Sequence, residues 1–580
     1  MASYPKHESD CNDRASKPRK RKFHGNQFKV KKSEEEEEDN SSSSSTKKLS
    51  TASSDDITIN PLHYYRIIEF LSVFGALSNI LICRSCRQKV NFQESTNRGL
   101  GFKIVVLCTC GRQEIQSGPL VGTGYEINRR IVFVMRLLGI GHDGINVFCE
   151  LMDMCQVLSN SAYQNIVNHL LSATTTMFAA ITKRTVTKER VKNAKDERVE
   201  THLKVSGDGS WKKRGFTSLF GVTTLIGYYT EKVIDLIVKS GYCHACAMQK
   251  NKLNDDDFSE WYEFHQDICT SNHHGSSGKM EVDSIIEMFS KSDELHGVKY
   301  VNYISDGDSK IFLGILNKNP YGEDCPVVKN ECVQYVEKRL GTRLRDVRTK
   351  EKLGGKNRLT NALITKLAIY YGLAIKRNLN STCDMRKAIF TTLDHYCSSD
   401  ESPRHGNCLA GSDSWCEWRQ AEAKNQLPSY RHGKRVIDEE VENHIRPIYE
   451  ALSTEDLLTR CLGGHTQNSN ESFNATVWRM NPKHLHFGKK IVEISAFLAA
   501  GLFNEGYSSI LMVMNLLNIQ IGQHSKMFAD SIDQRRILKQ DKRHSFSSKE
   551  ARTARRIERM HANQLFEEDE GLLYGPGIAD

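Results

Sequence analysis

The sequence predicts an α+β protein, a mixed sheet framed by helices with metal-binding segments set into it. Three observations predict this class. Pro-free runs rich in Val, Ile, Thr and Phe stand at 203–206, 218–226, 232–239 and 300–305, where strands are favoured. Apolar residues recur at helical spacing elsewhere, as in Val132, Met135 and Leu138 and again from Leu359 to Lys376. Cysteines and histidines fall in short clusters rather than at the even spacing of a disulfide framework.

A chain of 580 residues exceeds what one core usually organises, so several domains are expected. The net charge of +9 favours a polyanionic partner. The 17 cysteines are odd in number and clustered with histidines, which points to metal sites in a reducing compartment. The first residues lack the apolar segment of a signal peptide, and no stretch approaches the ~18 apolar residues of a membrane span. A soluble, intracellular protein is expected.

Taken in order, residues 1–56 hold a basic run (Lys17 to Lys22), an acidic run (Glu34 to Asp39) and a serine run (Ser41 to Ser45). That composition predicts a disordered tail, and the basic run reads as a nuclear import signal. Residues 57–125 read as a zinc-ribbon-like module: Cys83, Cys86, Cys108 and Cys110 flank a strand from Phe102 to Leu107, and four thiolates match a tetrahedral structural zinc. Residues 126–200 turn helical and read as a DNA-binding or oligomerisation module.

Residues 201–345 carry the main signal, in the order strand, strand, strand, helix (Glu281 to Lys291), strand. Asp208 and Asp306 each stand just past a strand and before a glycine. Asp-Gly is a common turn dipeptide, but two carboxylates on strands lying side by side are also what a two-magnesium phosphodiester site requires. An insertion at 242–275 carries Cys243, Cys246, His265 and Cys269, a second set with zinc-ligand spacing, with His273 and His274 as alternates. Each zinc set already offers four ligands, so none reads as catalytic.

Residues 346–465 read as a helical insertion. It holds a less regular third set of possible zinc ligands, His405, Cys408 and Cys416, with Cys397 or His395 nearby. A new helix is expected from Asn468 to Trp478 within the segment 466–520, with Asn470 or Ser469 as its N-cap. The charged tail 521–580 is expected as loose helix or disorder. Arg339, Arg343, Arg345, Arg348, Lys350 and Lys352, continuing through Lys356 and Arg358, form a basic stretch that can track a DNA backbone, or equally a solvated helix face. Trp211, Trp415, Trp418 and Trp478 are expected as core or domain-contact residues.

Five segments in order resemble the Mutator-like transposase domain: Gly207-Asp208-Gly209-Ser210-Trp211, Gly275 to Glu281, Ser305-Asp306-Gly307-Asp308-Ser309-Lys310, Tyr321-Gly322, and Thr466-Gln467-Asn468-Ser469-Asn470-Glu471-Ser472-Phe473-Asn474. The resemblance spans roughly residues 60 to 520, and its most specific piece is Asn-Ser-Asn-Glu-Ser-Phe-Asn. It implies a ribonuclease H-like core with a D-D-E triad, Asp208, Asp306 and Glu471, holding two Mg2+ or Mn2+ ions beside structural Zn2+. The partners it implies are the terminal inverted repeats of a transposon and target DNA, engaged by a homo-oligomer in the nucleus. Asp308 reads as a helix N-cap, and Glu281, Asp283 and Glu331 as solvated charges.

One departure stands out. Where the family carries Cys-x-x-His after the fifth strand, this chain has Cys332-Val333-Gln334-Tyr335, and a tyrosine does not titrate near neutrality. The resemblance implies DNA end cleavage and strand transfer, and this departure implies impaired activity with the triad intact. A domesticated, catalytically weak DNA-binding regulator is the alternative, and a metal-dependent nuclease on the same fold a third.

Overall fold

The computed structural model describes residues 48–49, 57–154, 158–213, 218–305, 307, 309–355, 358–412, 414, 416–432 and 437–544. The chain divides into two compact units, one of which contains Leu409–Tyr430 with its short helix Glu417–Ala423. Apart from the 3-10 turn Leu427–Ser429, which lies in the same unit as that helix, the remaining elements belong to the other unit.

Residues 57–125 contain helix α1 (Phe70–Ile80) and an antiparallel three-stranded sheet of β1 (Asn91–Arg98), β2 (Gly101–Cys108) and β3 (Gly111–Gln116). Helices α2 (Glu126–Leu137), α3 (His142–Leu151) and α4 (Asn160–Lys195) follow. Next come β4 (His202–Trp211), β5 (Phe220–Gly227) and β6 (Val233–Ser240), then α5 (His244–Lys250) and α6 (Asp255–His265) in the cysteine-bearing insertion. Helix α7 (Ser277–His296), β7 (Lys299–Ser305), α8 (Ser309–Lys318) and β8 (Val328–Glu331) complete the sheet region.

The five strands align in the order β8-β7-β4-β5-β6. Strands β8, β7 and β4 run parallel to their neighbours, whereas β4, β5 and β6 form an antiparallel meander. Side chains alternate between the two faces of a strand, and both faces here are covered. Leu203, Val205, Leu225 and Ile234 pack with Ile285, Met288 and Phe289 of α7. On the opposite face, Phe220, Val222, Ile226 and Val233 pack with Phe473, Val477, Val492 and Ala496. Double coverage is why every residue of β5 is buried.

Between β8 and the next sheet-covering helix lies a helical segment with its own core. It comprises α9 (Val333–Lys350), α10 (Asn361–Arg377), α11 (Thr382–Cys397), α12 (Glu439–Ala451) and α13 (Glu455–Cys461). Leu340, Leu344, Ile364, Leu367, Ile389 and Ile445 are among its fully buried members. The segment leaves and returns at one point, because the Val333 N–H donates to the His465 carbonyl at 3.0 Å. Such adjacent ends let a domain be inserted without disturbing its host.

Helices α14 (Asn468–Met480), α15 (Lys489–Glu505), α16 (Ser508–Leu516) and α17 (Gln523–His544) close the described chain. Helix α15 shares a core with α4, through Leu498 and Leu502 against Leu170, Met177 and Ile181. It is also tied to the edge strand. The Asn504 side chain accepts from the Val233 N–H and donates to the Val233 carbonyl, both at 2.8 Å, while Lys232 and Glu505 form a buried ion pair at 3.1 Å. Of the loose helix or disorder expected in the charged tail, the described part is helical through His544, and the Arg536 guanidinium caps the Leu502 and Phe503 carbonyls at the end of α15. Among the described residues no single helix is long and apolar enough to cross a membrane.

The strands at 203–206, 218–226, 232–239 and 300–305 and the helix at 281–291 all form within a few residues of expectation. Asp208 differs. Its strand runs on through Gly207-Asp208-Gly209 to Trp211, so Asp208 is a mid-strand residue rather than part of a turn.

Candidate active site

The glycines around Asp208 serve close packing. A Cβ at Gly207 would come within 2.6 Å of the Tyr303 ring, and one at Gly209 within 2.7 Å of the Glu281 carboxyl carbon. Both odd-numbered positions face α7, which therefore lies against bare backbone. The start of α7 is fixed by the Gly275-to-Glu281 motif. Ser276 caps the helix by accepting from the Lys279 N–H, and the Ser277 carbonyl accepts from the Trp211 indole at 2.7 Å.

The even-numbered residues face α14 and are bound to it one by one. The Ser206 hydroxyl donates to Asn470 Oδ1 at 2.8 Å, and Asn470 Nδ2 returns a bond to the Ser206 carbonyl at 3.2 Å. Asn474 Nδ2 donates to Asp208 Oδ2 at 2.7 Å. Trp478 Nε1 donates to Ser210 Oγ at 2.7 Å. Residues two apart on a strand and four apart on a helix each return to the same face, so one ladder joins both elements. Gln467, one turn earlier, donates to the carbonyls of Gly207 at 2.7 Å and Ile304 at 3.4 Å, and so pins the helix start to β4 and β7 together.

This arrangement corrects the expected cap. Helix α14 begins at Asn468 with Gln467 at the N-cap position, and no side chain caps it. The Asn470 amide is spent on Ser206 instead. Glu471 is exposed on the same helix, next to Asn470 and three residues before Asn474, so its Cα lies among the three amides, Gln467, Asn470 and Asn474, that reach β4. Asp306 and Asp308 lie outside the described residues. Gly307 has a φ of +91°, with the Arg339 guanidinium against it.

Three acidic residues expected as solvated charges have partners. Glu331, at the end of β8 opposite Ser305, is buried and paired with Arg339, with Lys329 at 3.4 Å and Arg460 at 3.8 Å. Asp283 lies 3.4 Å from His273. Glu281 rests over Gly209. Of the basic stretch, Arg339 is thus committed to Glu331, Arg348 donates to Asn361 at 2.6 Å, and Arg358 pairs with Asp438 and Glu440. Arg343, Arg345, Lys350 and Lys352 are exposed. Lys356 lies outside the described residues. Tyr335 stands in the first turn of α9 with the Lys338 ammonium 4.4 Å from its ring centre.

His465, two residues before Gln467, was not anticipated. It is buried against the edge of Tyr228, with both ring nitrogens unpartnered. Burial, reinforced by Lys204 and Arg198, pushes its pKa down to about 3. The ring is neutral at physiological pH.

The cysteine sets fall as follows. Cys83, Cys86, Cys108 and Cys110 present their sulfurs within 4.8 Å of one another, as do the ligand atoms of Cys243, Cys246, His265 and Cys269. In the second set Cys243 Sγ lies 3.2 Å from His265 Nε2, and Trp261 stacks on the imidazole at 4.5 Å. Burial raises the Cys243 thiol, but the Cys246 N–H and the Thr270 hydroxyl and N–H outweigh it and bring it to about 5. Both sets can hold zinc, since soft thiolates and imidazole at tetrahedral spacing suit it. His273 does not belong to the second set, being bonded to the Ser276 carbonyl. In the third set Cys408 lies 3.8 Å from both His395 and His405, whereas Cys397 is buried in the helical core. Cys416 stands in the other unit, at the N-terminus of the helix Glu417–Ala423.

A mixed five-stranded sheet with a carboxylate in its central strand, closed by a helix bearing a second carboxylate, is an arrangement suited to metal-assisted phosphodiester chemistry. The Mutator-like transposase family model matches residues 64–416, more than half of the chain, and the chain belongs to that family. The match includes β4 with Asp208 and ends before α14 and Glu471. No curated protein and no solved structure matches the chain.

Proposed function

We propose that the protein is a DDE transposase whose core is ribonuclease H-like. The strand order, 3-2-1-4-5 when the five strands are numbered along the chain, supports that core. One observation carries the functional reading: Asp208 is held at 2.7 Å by Asn474, on the same helix that bears Glu471.

Asp208, Asp306 and Glu471 are the groups that would hold magnesium or manganese. Carboxylate oxygens are the hard ligands those ions prefer, and the buried Asn474 Oδ1, on the amide bonded to Asp208, and the buried Gln467 Oε1 have no partner. When bound, the metal supplies activation of a water or 3′ hydroxyl and stabilisation of the leaving oxygen. Asn474 occupies one carboxylate oxygen of Asp208 and fixes its orientation, and Gln467 keeps the helix from sliding along the strands. Arg343, Arg345, Lys350 and Lys352 support a path for the DNA backbone. Two transposon ends must be paired, which favours a homo-oligomer, and the basic run before residue 23 favours the nucleus.

The test is cleavage and strand transfer on DNA bearing the element's terminal inverted repeats, with and without Mg2+. Asp208→Ala and Glu471→Gln should each abolish nicking, a loss on the order of a thousandfold or more, while leaving DNA binding intact. Nicking that persists in either variant removes that residue from the site. Tyr335 favours the second reading, a weakened enzyme retained for DNA binding. Under that reading Tyr335→His raises nicking from near zero.

A further inference from the structure

Arg136 lies in the last turn of α2 and is 3 % exposed. Its Nε donates to the Ile140 carbonyl at 2.7 Å and its guanidinium stands 5.3 Å from the Phe487 ring. Nη2 has no hydrogen-bond partner, and among the described residues no carboxylate pairs with the charge. A buried, uncompensated guanidinium is expensive, so it needs a counter-ion. Nη2 points toward Gly141, where an added Cβ would sit 3.8 Å away.

Gly141 is the N-cap of α3, and no side chain caps that helix. Gly488 is the N-cap of α15, again with no side-chain cap. Two helix starts therefore offer orphan N–H groups to the cavity that Arg136 lines, whose volume is about 750 Å³. Its lining also holds Lys489, which pairs with Glu493 at 3.7 Å, and Lys490, which donates to Asn168 at 3.0 Å, against the single acid Asp143, with His142, His244 and His486 as further polar groups. Tyr163, Tyr242, Leu485 and Phe487 supply an apolar wall.

We propose that this cavity binds the phosphate of a nucleotide, held by Arg136 and the two glycine-capped helix starts, with the base and sugar on the aromatic wall. Phosphate oxygens balance the Arg136 charge and satisfy the orphan N–H groups together, and both helix dipoles favour an anion there. The volume suits a nucleotide rather than a bare inorganic anion. The same chemistry is offered by a free mononucleotide and by one residue of a DNA strand. The site is separate from Asp208 and its reading stands without it.

The experiment uses the full chain purified with zinc and measures affinity for dAMP, deoxyadenosine and a short single-stranded oligonucleotide. dAMP or the oligonucleotide should bind, deoxyadenosine should bind far more weakly, and Arg136→Met should cost about tenfold or more in affinity. Gly488→Asp is the second variant. Nothing lies within 4 Å of a Cβ at Gly488, and aspartate is a favoured N-cap, so this change should raise Tm while displacing the phosphate by a similar factor. Loss for both phosphorylated probes identifies a free-nucleotide site, and loss for the strand alone identifies a DNA contact. Equal binding of dAMP and deoxyadenosine with no strand binding, or full affinity in folded Gly488→Asp, overturns the proposal. If Arg136→Met fails to fold, Gly488→Asp decides alone.

Discussion

The helical insertion and helix α14 meet at His465 yet are secured in opposite ways. Helices α9 to α13 pack around their own apolar core. Helix α14 does bury Phe473 and Val477, but the face toward β4 is fixed by hydrogen bonds from Gln467, Asn470, Asn474 and Trp478. Apolar packing is strong and nearly non-directional, so it sets stability. Hydrogen bonds are weaker but stringent in geometry, so they set register. A helix held in one register against a strand needs the second kind.

The contrast can be broken from either side. Leu340→Ala, in the fully buried core of the insertion, should cost roughly 2 to 5 kcal/mol of stability. Nicking by the folded fraction should stay unchanged, and denaturant unfolding beside a single-turnover assay checks both. Asn474→Ala removes a hydrogen bond to a carboxylate, worth about 1.5 to 3 kcal/mol. Its effect should appear as a ten- to hundredfold lower nicking rate together with a lowered melting temperature. A wild-type rate in that variant shows that the ladder is structural only.

The junction gives a pH prediction. Because the folded pKa of His465 is about 3, below its unfolded value, its contribution is fully present above roughly pH 6.5 and is lost as pH falls toward 3. Moving from pH 7.5 to 5 should cost roughly 2 kcal/mol from this residue, and His465→Phe should flatten that part of the stability profile. An unaltered acid limb in the variant refutes the assignment. The smallest effect is Trp478→Phe, which deletes one neutral donor and should cost about 1 kcal/mol, readable by thermal melting.

Much of the sheet was legible because its strands are Val- and Ile-rich runs bounded by turn residues, a local signal. Asp208 was legible through the motif around it, though Asp-Gly pointed to a turn. What overrode that signal is the tight approach of Tyr303 and Glu281, residues remote in sequence. Asn470 read as a cap because asparagine near a helix start usually is one. Its true partner, Ser206, is 264 residues away, and no local pattern announces such a bond. Glu331 and Arg339 escaped for the same reason. A charge reads as solvated until the fold supplies its counter-ion.

The ladder between β4 and α14 also works as a vernier. Two residues of strand advance about 6.6 to 6.8 Å, whereas four residues of helix advance about 6.0 Å. Each rung therefore drifts by roughly 0.6 to 0.8 Å, a difference that side chains absorb over two intervals but hardly over four. The chain changes partners where the scales part. Lys204, before the first rung, lies over the Tyr228 ring, and Lys212, past the last, lies between Phe220 and Phe487. Asp208 occupies the middle graduation, where misalignment is least.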